Sequence, residues 1–184
     1  MSSDGKVALV HNGTLHNTAE IRAQLPKDCK QQSSTDSEVL VQWIAHHYRD
    51  TGNLKTAVER ALSTCDGTWG LVVATPDSPD SVVVACNGSP LVFGSEAGVT
   101  YIASEPQALS KYTNNFAALR DGEVGVIDAN GPSLQEWSGR ILHVHDTAQD
   151  KSSPGEAYGT WTLQEIYQQP EAVGRALAFG ARLG

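Results

Sequence analysis

The sequence predicts an α+β fold, because helical and strand patterns occupy separate parts of the chain. Three helical patterns precede Gly67, and most of the strand patterns follow it. This segregated order favours a layered sandwich over a regular alternation of strands and helices. The 184 residues suffice for one hydrophobic core, and a composition of 40% hydrophobic and 18% charged residues is typical of a globular protein.

The chain opens with a predicted strand. The short apolar run from Lys6 to Val10 indicates a buried strand, which we expect to stop at the polar turn His11-Asn12-Gly13. Asn-Gly is also the commonest short signal of a β-hairpin. The pattern that follows it, however, is helical and not that of a return strand.

Three helices are predicted next. Asn17 with Glu20, and Thr35 with Glu38, have the spacing of a capping box at a helix start. A third helical stripe begins at Leu54 and is ended by a turn at residues 66–67. We therefore expect the N-terminal third of the chain to supply the main helical layer.

Beyond residue 67 the pattern becomes that of short strands separated by turns rich in Gly, Pro, Asn and Asp. A helix is predicted over 105–111, a linker over 146–159, and two helices over 161–169 and 170–183. We accordingly expect one domain over residues 1–146 and a separate tail over 147–184. The predicted strands are 69–75, 81–86, 91–93, 99–103, 117–119, 123–127 and 141–145.

Composition argues against several classes of function. A net charge of −8 disfavours nucleic-acid binding, which depends on Lys and Arg neutralising phosphates. No apolar run approaches the roughly 18 residues of a membrane span. The N-terminus lacks the basic and apolar regions of a secretory signal, so we expect a cytoplasmic protein.

Metal binding is not predicted either. Cys29, Cys65 and Cys86 are odd in number and form no CxxC pair, which indicates neither a disulfide framework nor a zinc site. The pairs His46-His47 and His143 with His145 have no acid or cysteine at convincing ligand spacing. We expect no cofactor and no metal.

Four ordered segments carry a family resemblance. Val10-His11-Asn12-Gly13 and Ser34-Thr35-Asp36-Ser37-Glu38-Val39 resemble the class II glutamine amidotransferases, which are N-terminal-nucleophile hydrolases. The segments 87–94 and 163–170 are similar to the glucosamine-6-phosphate synthase family, also called glutamine-fructose-6-phosphate aminotransferase. The resemblance implies a four-layer αββα sandwich, incomplete here because the family's first strands match nothing in this chain.

The resemblance also implies a site. Asn12, through its side-chain amide, and Gly13, through its backbone N–H, would form an oxyanion hole, because hydrolysis of the glutamine amide develops negative charge on the carbonyl oxygen. Asp36 would hold the substrate's α-ammonium group by a charge-assisted contact. Taken alone, Asp36 is better explained as a first-turn acid that stabilises its helix by about 0.3–1 kcal/mol.

The family's nucleophile is an N-terminal cysteine whose own α-amino group acts as the base. No cysteine of this chain matches it, and Ser2, exposed by removal of Met1, would lie on the wrong strand. We expect this chain alone to have no glutaminase activity and to present an open strand edge that favours aggregation. Its implied partners are glutamine, a cysteine segment, sugar-phosphate isomerase domains following the tail, and a second copy in a homodimer of the full enzyme.

The implied activity is transfer of the glutamine amide nitrogen to fructose 6-phosphate, which makes glucosamine 6-phosphate for hexosamine biosynthesis. Three alternatives remain open at this point. The first is another class II amidotransferase, such as amidophosphoribosyltransferase. The second is a non-catalytic module that binds glutamine or a partner, and the third is one half of a split enzyme.

Overall fold

The structure is a computed structural model that describes residues 1–27, 29–128, 131–132, 141–143, 159–160, 162–163, 166–170 and 173. Its helices are α1 (Thr18–Gln24), α2 (Asp36–Thr51), α3 (Leu54–Leu62) and α4 (Pro106–Leu109). Its strands are β1 (Ala8–Leu15), β2 (Gly67–Ala74), β3 (Ser81–Asn87), β4 (Val92–Glu96), β5 (Val99–Ala103), β6 (Asn115–Ala118), β7 (Val124–Asp128), β8 (Gly131–Pro132) and β9 (Ile141–His143).

The strands form two antiparallel sheets. The first sheet has the order β1-β2-β3-β7-β8, and the second has the order β5-β4-β6-β9. Strands β1, β2 and β3 follow one another as antiparallel neighbours, although three helices separate β1 from β2 along the chain. The segregated α+β arrangement expected from the sequence is confirmed.

The helices and sheets form four layers, which pack on one another through three apolar clusters. The first packs α1, α2 and α3 against one face of the first sheet, and includes Leu40, Ile44 and Leu71. The second fills the space between the two sheets, where Val84 of β3 and Phe93 of β4 are buried. The third lies between the second sheet and the short helix α4. The layers thus follow the order α, β, β, α, in agreement with the predicted sandwich.

Strand β2 contributes side chains to two apolar clusters, one on each face of the first sheet. Leu71 and Val73 join the helix-side cluster, whereas Val72 packs into the cluster between the sheets. Successive side chains of a strand point to opposite faces, so a continuous apolar run is expected where both faces are buried. The run at residues 69–75 therefore indicates an internal strand, which is the position that β2 occupies.

The two predicted capping boxes have different outcomes. Thr35 caps α2, because its side-chain oxygen accepts a hydrogen bond from the Glu38 N–H at 3.3 Å. Asn17 directly precedes α1, so the predicted helix start is confirmed, but its side chain makes no capping bond. Its side chain instead donates to the Thr64 carbonyl at 2.8 Å and accepts from the Asp66 N–H at 2.9 Å. A tertiary contact with the turn before β2 has replaced the local one.

The first strand is longer than expected. We placed its end at His11-Asn12-Gly13, but β1 runs through these residues to Leu15, paired with Gly67 of β2. The polar residues are compatible with a strand because β1 is an outer strand of its sheet. Smaller corrections concern β2, β4, β6 and β7, each of which begins and ends at different residues from those predicted, and α4, which is shorter than the predicted 105–111.

The chain divides into two compact units, Met1–Asp146 and Thr147–Gly184. In the second unit, the described residues 162–163, 166–170 and 173 are helical. Pro170, where we expected a second helix to begin, is itself helical together with residues 166–169. The linker at 146–159 and most of the tail fall outside the described residues, as do 144 and 145 at the end of the last predicted strand. Among the helices that the structure describes, none has the length and apolar composition needed to cross a membrane.

The C-terminal part of α2 carries a histidine, His47, whose pKa is lowered by its surroundings. The His47 ring packs edge-on against Trp43, with ring centroids 4.5 Å apart, and its buried Nε2 atom has no hydrogen-bond partner among the described residues. Burial lowers the pKa of His47; the neighbouring His46 and Arg60 lower it further, and Asp50 opposes them. The folded protein therefore disfavours the charged imidazolium.

We expect this histidine to weaken the fold at mildly acidic pH. The pKa of His47 in the folded protein lies below its unfolded value of about 6.5. Protonation of His47 therefore does not reduce the free energy of unfolding at pH values above about 6.5. The free energy of unfolding should decline as the pH falls from about 6.5 towards the folded pKa. Urea unfolding at a series of pH values tests this. The variant His47→Phe should remove that part of the decline, and an identical pH dependence in both proteins would contradict the assignment.

Candidate active site

Gly13 offers a backbone donor on the open edge of β1. The Thr14 N–H donates to Thr68 Oγ1 at 3.3 Å, and the Thr14 carbonyl oxygen points towards Gly67, so both Thr14 groups face β2. Backbone N–H groups alternate in direction along an antiparallel strand. The N–H groups of Gly13 and Leu15 therefore point away from β2, towards the edge that no other described strand covers.

Asp36 lies at this same edge. It is the first residue of α2, and its Oδ2 atom accepts a hydrogen bond from the Leu15 N–H at 3.0 Å. Its Oδ1 atom accepts from the Ser37 N–H at 2.8 Å. Because two strand residues span roughly 6.6–6.8 Å, the carboxylate lies about one dipeptide along the edge from the Gly13 N–H.

Gly13 has a conformation that other residues rarely adopt. Its φ is 143°, and a Cβ atom at this position would lie 2.1 Å from the carbonyl oxygen of Thr68. No backbone neighbour can tolerate that approach, so β1 and β2 pack here only with a glycine. Glycine is thus required by the sheet, independently of any role in catalysis.

The Asn12 side chain is exposed and has no hydrogen-bond partner among the described residues. Leu9 packs on the helix-side cluster and His11 contacts α2, so the alternation of the strand directs Asn12 to the other face. Its carboxamide is therefore exposed on the residue directly before Gly13. The structure therefore brings all three predicted site residues to one strand edge, with Asp36 supplied by the helix.

Neither Cys65 nor Cys86 offers an activated thiol. Burial raises the pKa of Cys65 to about 11. Burial, assisted by the Asp121 carboxylate, raises the pKa of Cys86 to about 11. Thiols with such values carry little thiolate at neutral pH and are poor nucleophiles.

Ser2 is held at the opposite end of β1. Its backbone N–H donates to the Val7 carbonyl at 2.7 Å, and its hydroxyl donates to Asp4 Oδ1 at 2.7 Å. Four strand residues, or roughly 13 Å, separate Ala8 from Asn12. The expectation that Ser2 does not serve as the nucleophile agrees with this geometry.

The histidines provide no metal centre in the described part of the chain. His46 and His47 have ring centroids 5.4 Å apart and both pack against Trp43. No group of three or more His, Cys, Asp or Glu residues that could hold a metal ion occurs among the described residues. The side chains of His143 and His145 lie outside them.

Sequence reasoning missed one contact at this site. His11 Nδ1 and Ser37 Oγ are 3.0 Å apart, which joins the residue before Asn12 to the residue after Asp36. Both residues belong to the motifs that suggested the family. Their adjacency to the site residues was the available signal, but only the packing of α2 on β1 shows that they touch.

The αββα sandwich agrees with the fold class that the motif resemblance implied. The family described as glutamine amidotransferase domain matches residues 1–111, and the chain belongs to that family. The resemblance seen in the motifs is thereby confirmed.

Curated relatives are similar over nearly the whole chain. A glutamine–fructose-6-phosphate aminotransferase (isomerizing) from Haemophilus ducreyi is 35% identical over 95% of this chain and 29% of its own length. The protein of the same name from Thermococcus kodakarensis is 33% identical over 94% of this chain and 30% of its own length. The chain thus spans less than a third of the relatives that it matches.

A solved structure supports the fold. A protein described as a predicted glutamine amidotransferase from Pseudomonas aeruginosa PA01 superposes with a TM-score of 0.50 and 16% identity. The match covers 69% of this chain and 59% of that one. At this level of identity the similarity concerns the fold alone.

Proposed function

We propose that this chain is part of the glutaminase domain of an enzyme that transfers the amide nitrogen of glutamine to fructose 6-phosphate, making glucosamine 6-phosphate. The observation that carries the proposal is the shared strand edge, where the Asp36 carboxylate accepts from the Leu15 N–H, two residues along β1 from Gly13, whose own N–H points out of the same edge. The names of the curated relatives support the sugar-phosphate acceptor. Residues 1–146 would form the amidotransferase part and 147–184 the linker and tail towards isomerase domains.

The site suits the two ends of glutamine. Asp36 would accept a charge-assisted hydrogen bond from the α-ammonium group, and Gly13 and Asn12 would donate to the side-chain carbonyl oxygen. The spacing of about one dipeptide along β1 is one that an extended glutamine can bridge. Each oxyanion donor is worth roughly 100- to 1,000-fold in turnover.

Turnover requires a nucleophile that the 184 residues do not supply. We propose that it is an N-terminal cysteine on a segment that pairs with the open edge of β1. Ordered main-chain pairing at that edge would bring the thiol close to the Gly13 donor. This proposal needs no metal and no organic cofactor.

Ammonia release from glutamine tests the proposal. The purified chain is assayed alone and mixed with a polypeptide that carries the N-terminal cysteine segment of a curated relative. We expect activity only in the mixture, and none when the cysteine of the added segment is replaced by alanine. Activity of the chain alone would contradict the proposed origin of the nucleophile. Glutamine binding without turnover in every mixture would favour a non-catalytic binding module.

A further inference from the structure

Two contacts join β1 to the start of α2, and they bracket Gly13. Two residues before Gly13, His11 Nδ1 lies 3.0 Å from Ser37 Oγ. Two residues after it, the Leu15 N–H donates to Asp36 Oδ2 at 3.0 Å. Both contacts end on neighbouring residues of the first turn of α2. The donor at Gly13 is therefore held between two tethers to the same helix end.

An outer strand needs such tethers. β1 is hydrogen-bonded to β2 along one edge only in the described sheet, so β2 alone does not fix its distance from α2. The Asp36 carboxylate is part of the proposed substrate site and has to be held at a set spacing from Gly13. A displacement of about 1 Å in a binding group can cost 100-fold in rate.

The Ser37 hydroxyl can also link His11 to the Asp36 carboxylate by hydrogen bonds. A serine hydroxyl carries one proton and can both accept and donate. When His11 Nδ1 carries its proton it donates to Ser37 Oγ, and the hydroxyl can donate to Asp36 Oδ1, which is 3.5 Å away. In the other tautomer, the N–H of His11 would be at Nε2, which is buried and has no partner among the described residues. The first arrangement is the one that gives the ring N–H a partner, the Ser37 hydroxyl.

We propose that His11 and Ser37 are positioning residues, which hold the Asp36 carboxylate in register with the Gly13 donor and orient it through the Ser37 hydroxyl. The inference rests on the proposed function, since the group that it positions is the one assigned to the α-ammonium of glutamine. Neither residue is assigned a contact with the substrate. Ser37 is not a nucleophile in this arrangement, because no carboxylate among the described residues contacts His11 Nε2 to complete a Ser-His-acid arrangement.

Glutamine affinity is the quantity that separates positioning from simple support of the fold. The chain is mixed with the added segment in which cysteine is replaced by alanine, and glutamine binding is measured by calorimetry without turnover. Ser37→Ala and His11→Phe should each weaken binding by about 3- to 10-fold. Ser37→Thr keeps the hydroxyl and should retain most of the affinity. The double variant should be little worse than either single one, because both remove the same bond.

A matched control removes a hydrogen bond of similar length away from the site. Thr64→Ala breaks the 2.9 Å bond that Trp43 Nε1 donates to Thr64 Oγ1. It should lower the free energy of unfolding but leave glutamine affinity unchanged.

The outcomes distinguish this inference from the proposed function. Wild-type affinity in Ser37→Ala and His11→Phe, together with weak binding by Asp36→Asn, contradicts the positioning role and leaves the proposed function standing. Equal loss of affinity in Thr64→Ala would show that general destabilisation is responsible, which also contradicts it. Absence of binding by the unaltered chain and segment contradicts the proposed function itself.

Discussion

Replacement of Gly13 by alanine is expected to damage both the fold and the site. The added methyl would lie 2.1 Å from the carbonyl oxygen of Thr68, and the residue would keep a φ of 143° that alanine disfavours. Backbone strain of this kind costs on the order of 1–3 kcal/mol. The clash adds to this cost, because the atoms of Thr68 and Trp69 that the methyl would meet are backbone atoms. Relief by a shift of β1 would also move the proposed oxyanion donor. In the reconstituted mixture we expect turnover to fall at least 100-fold.

Gly98 provides the matched control for this prediction. It also has a positive φ, of 80°, but a Cβ atom there would meet nothing within 4 Å. Gly98→Ala thus measures the conformational strain alone. Urea unfolding of both variants should show the larger loss of stability for Gly13→Ala, and equal losses would argue against a special packing requirement at β1.

Replacement of Asp36 by asparagine should abolish most of the glutamine affinity and leave the fold largely intact. Asparagine keeps an oxygen that can accept from the Leu15 N–H, but it removes the charge that would pair with the α-ammonium group. Hydrogen bonds to charged groups contribute about 1.5–3 kcal/mol, which corresponds to roughly 10- to 150-fold in the dissociation constant. Calorimetric titration of glutamine into the chain and its added segment measures this directly.

Glu38→Gln separates loss of the substrate contact from loss of helix-terminal charge. Glu38 is the other acid in the first turn of α2, but its carboxylate accepts from the backbone of Gln32 and Ser33 in the preceding loop. Both substitutions remove one negative charge from the helix start, which is worth about 0.3–1 kcal/mol of stability. We expect Glu38→Gln to retain glutamine affinity. Equal weakening by the two variants would show that the helix charge, and not Asp36, attracts the ligand.

Much of the architecture was predictable because it depends on local patterns. The apolar stripe of α2, its Thr35 cap and the unbroken run of β2 each specify an element through the burial of one or two faces. The order of helices before strands was then enough for the α+β class. Where these local rules failed, a long-range contact had taken over, as with Asn17, whose side chain bonds the turn before β2.

The candidate site was predictable in its residues but not in its geometry. Asn12, Gly13 and Asp36 were found through motif resemblance, yet the polar sequence around Gly13 predicted a turn and not a strand. A period-2 hydrophobic pattern is absent from this part of β1 because its exposed side chains need not be apolar. Pairing with β2 keeps these residues extended, and that pairing involves residues more than fifty positions away.

The sequence by itself determined the layer class and the helix that carries Asp36, since both follow from side-chain type and short spacing, and the motif resemblance supplied the residues that we propose to meet glutamine. Only the tertiary structure decided that Gly13 and Asp36 lie at one edge of β1, and that His11 of β1 contacts Ser37 of α2. These relations depend on how α2 packs against β1, and packing brings together residues whose separation along the chain carries no local signal. The alternation of N–H directions along β1 then turns the N–H groups of Gly13 and Leu15 to the same edge, where Asp36 accepts from Leu15.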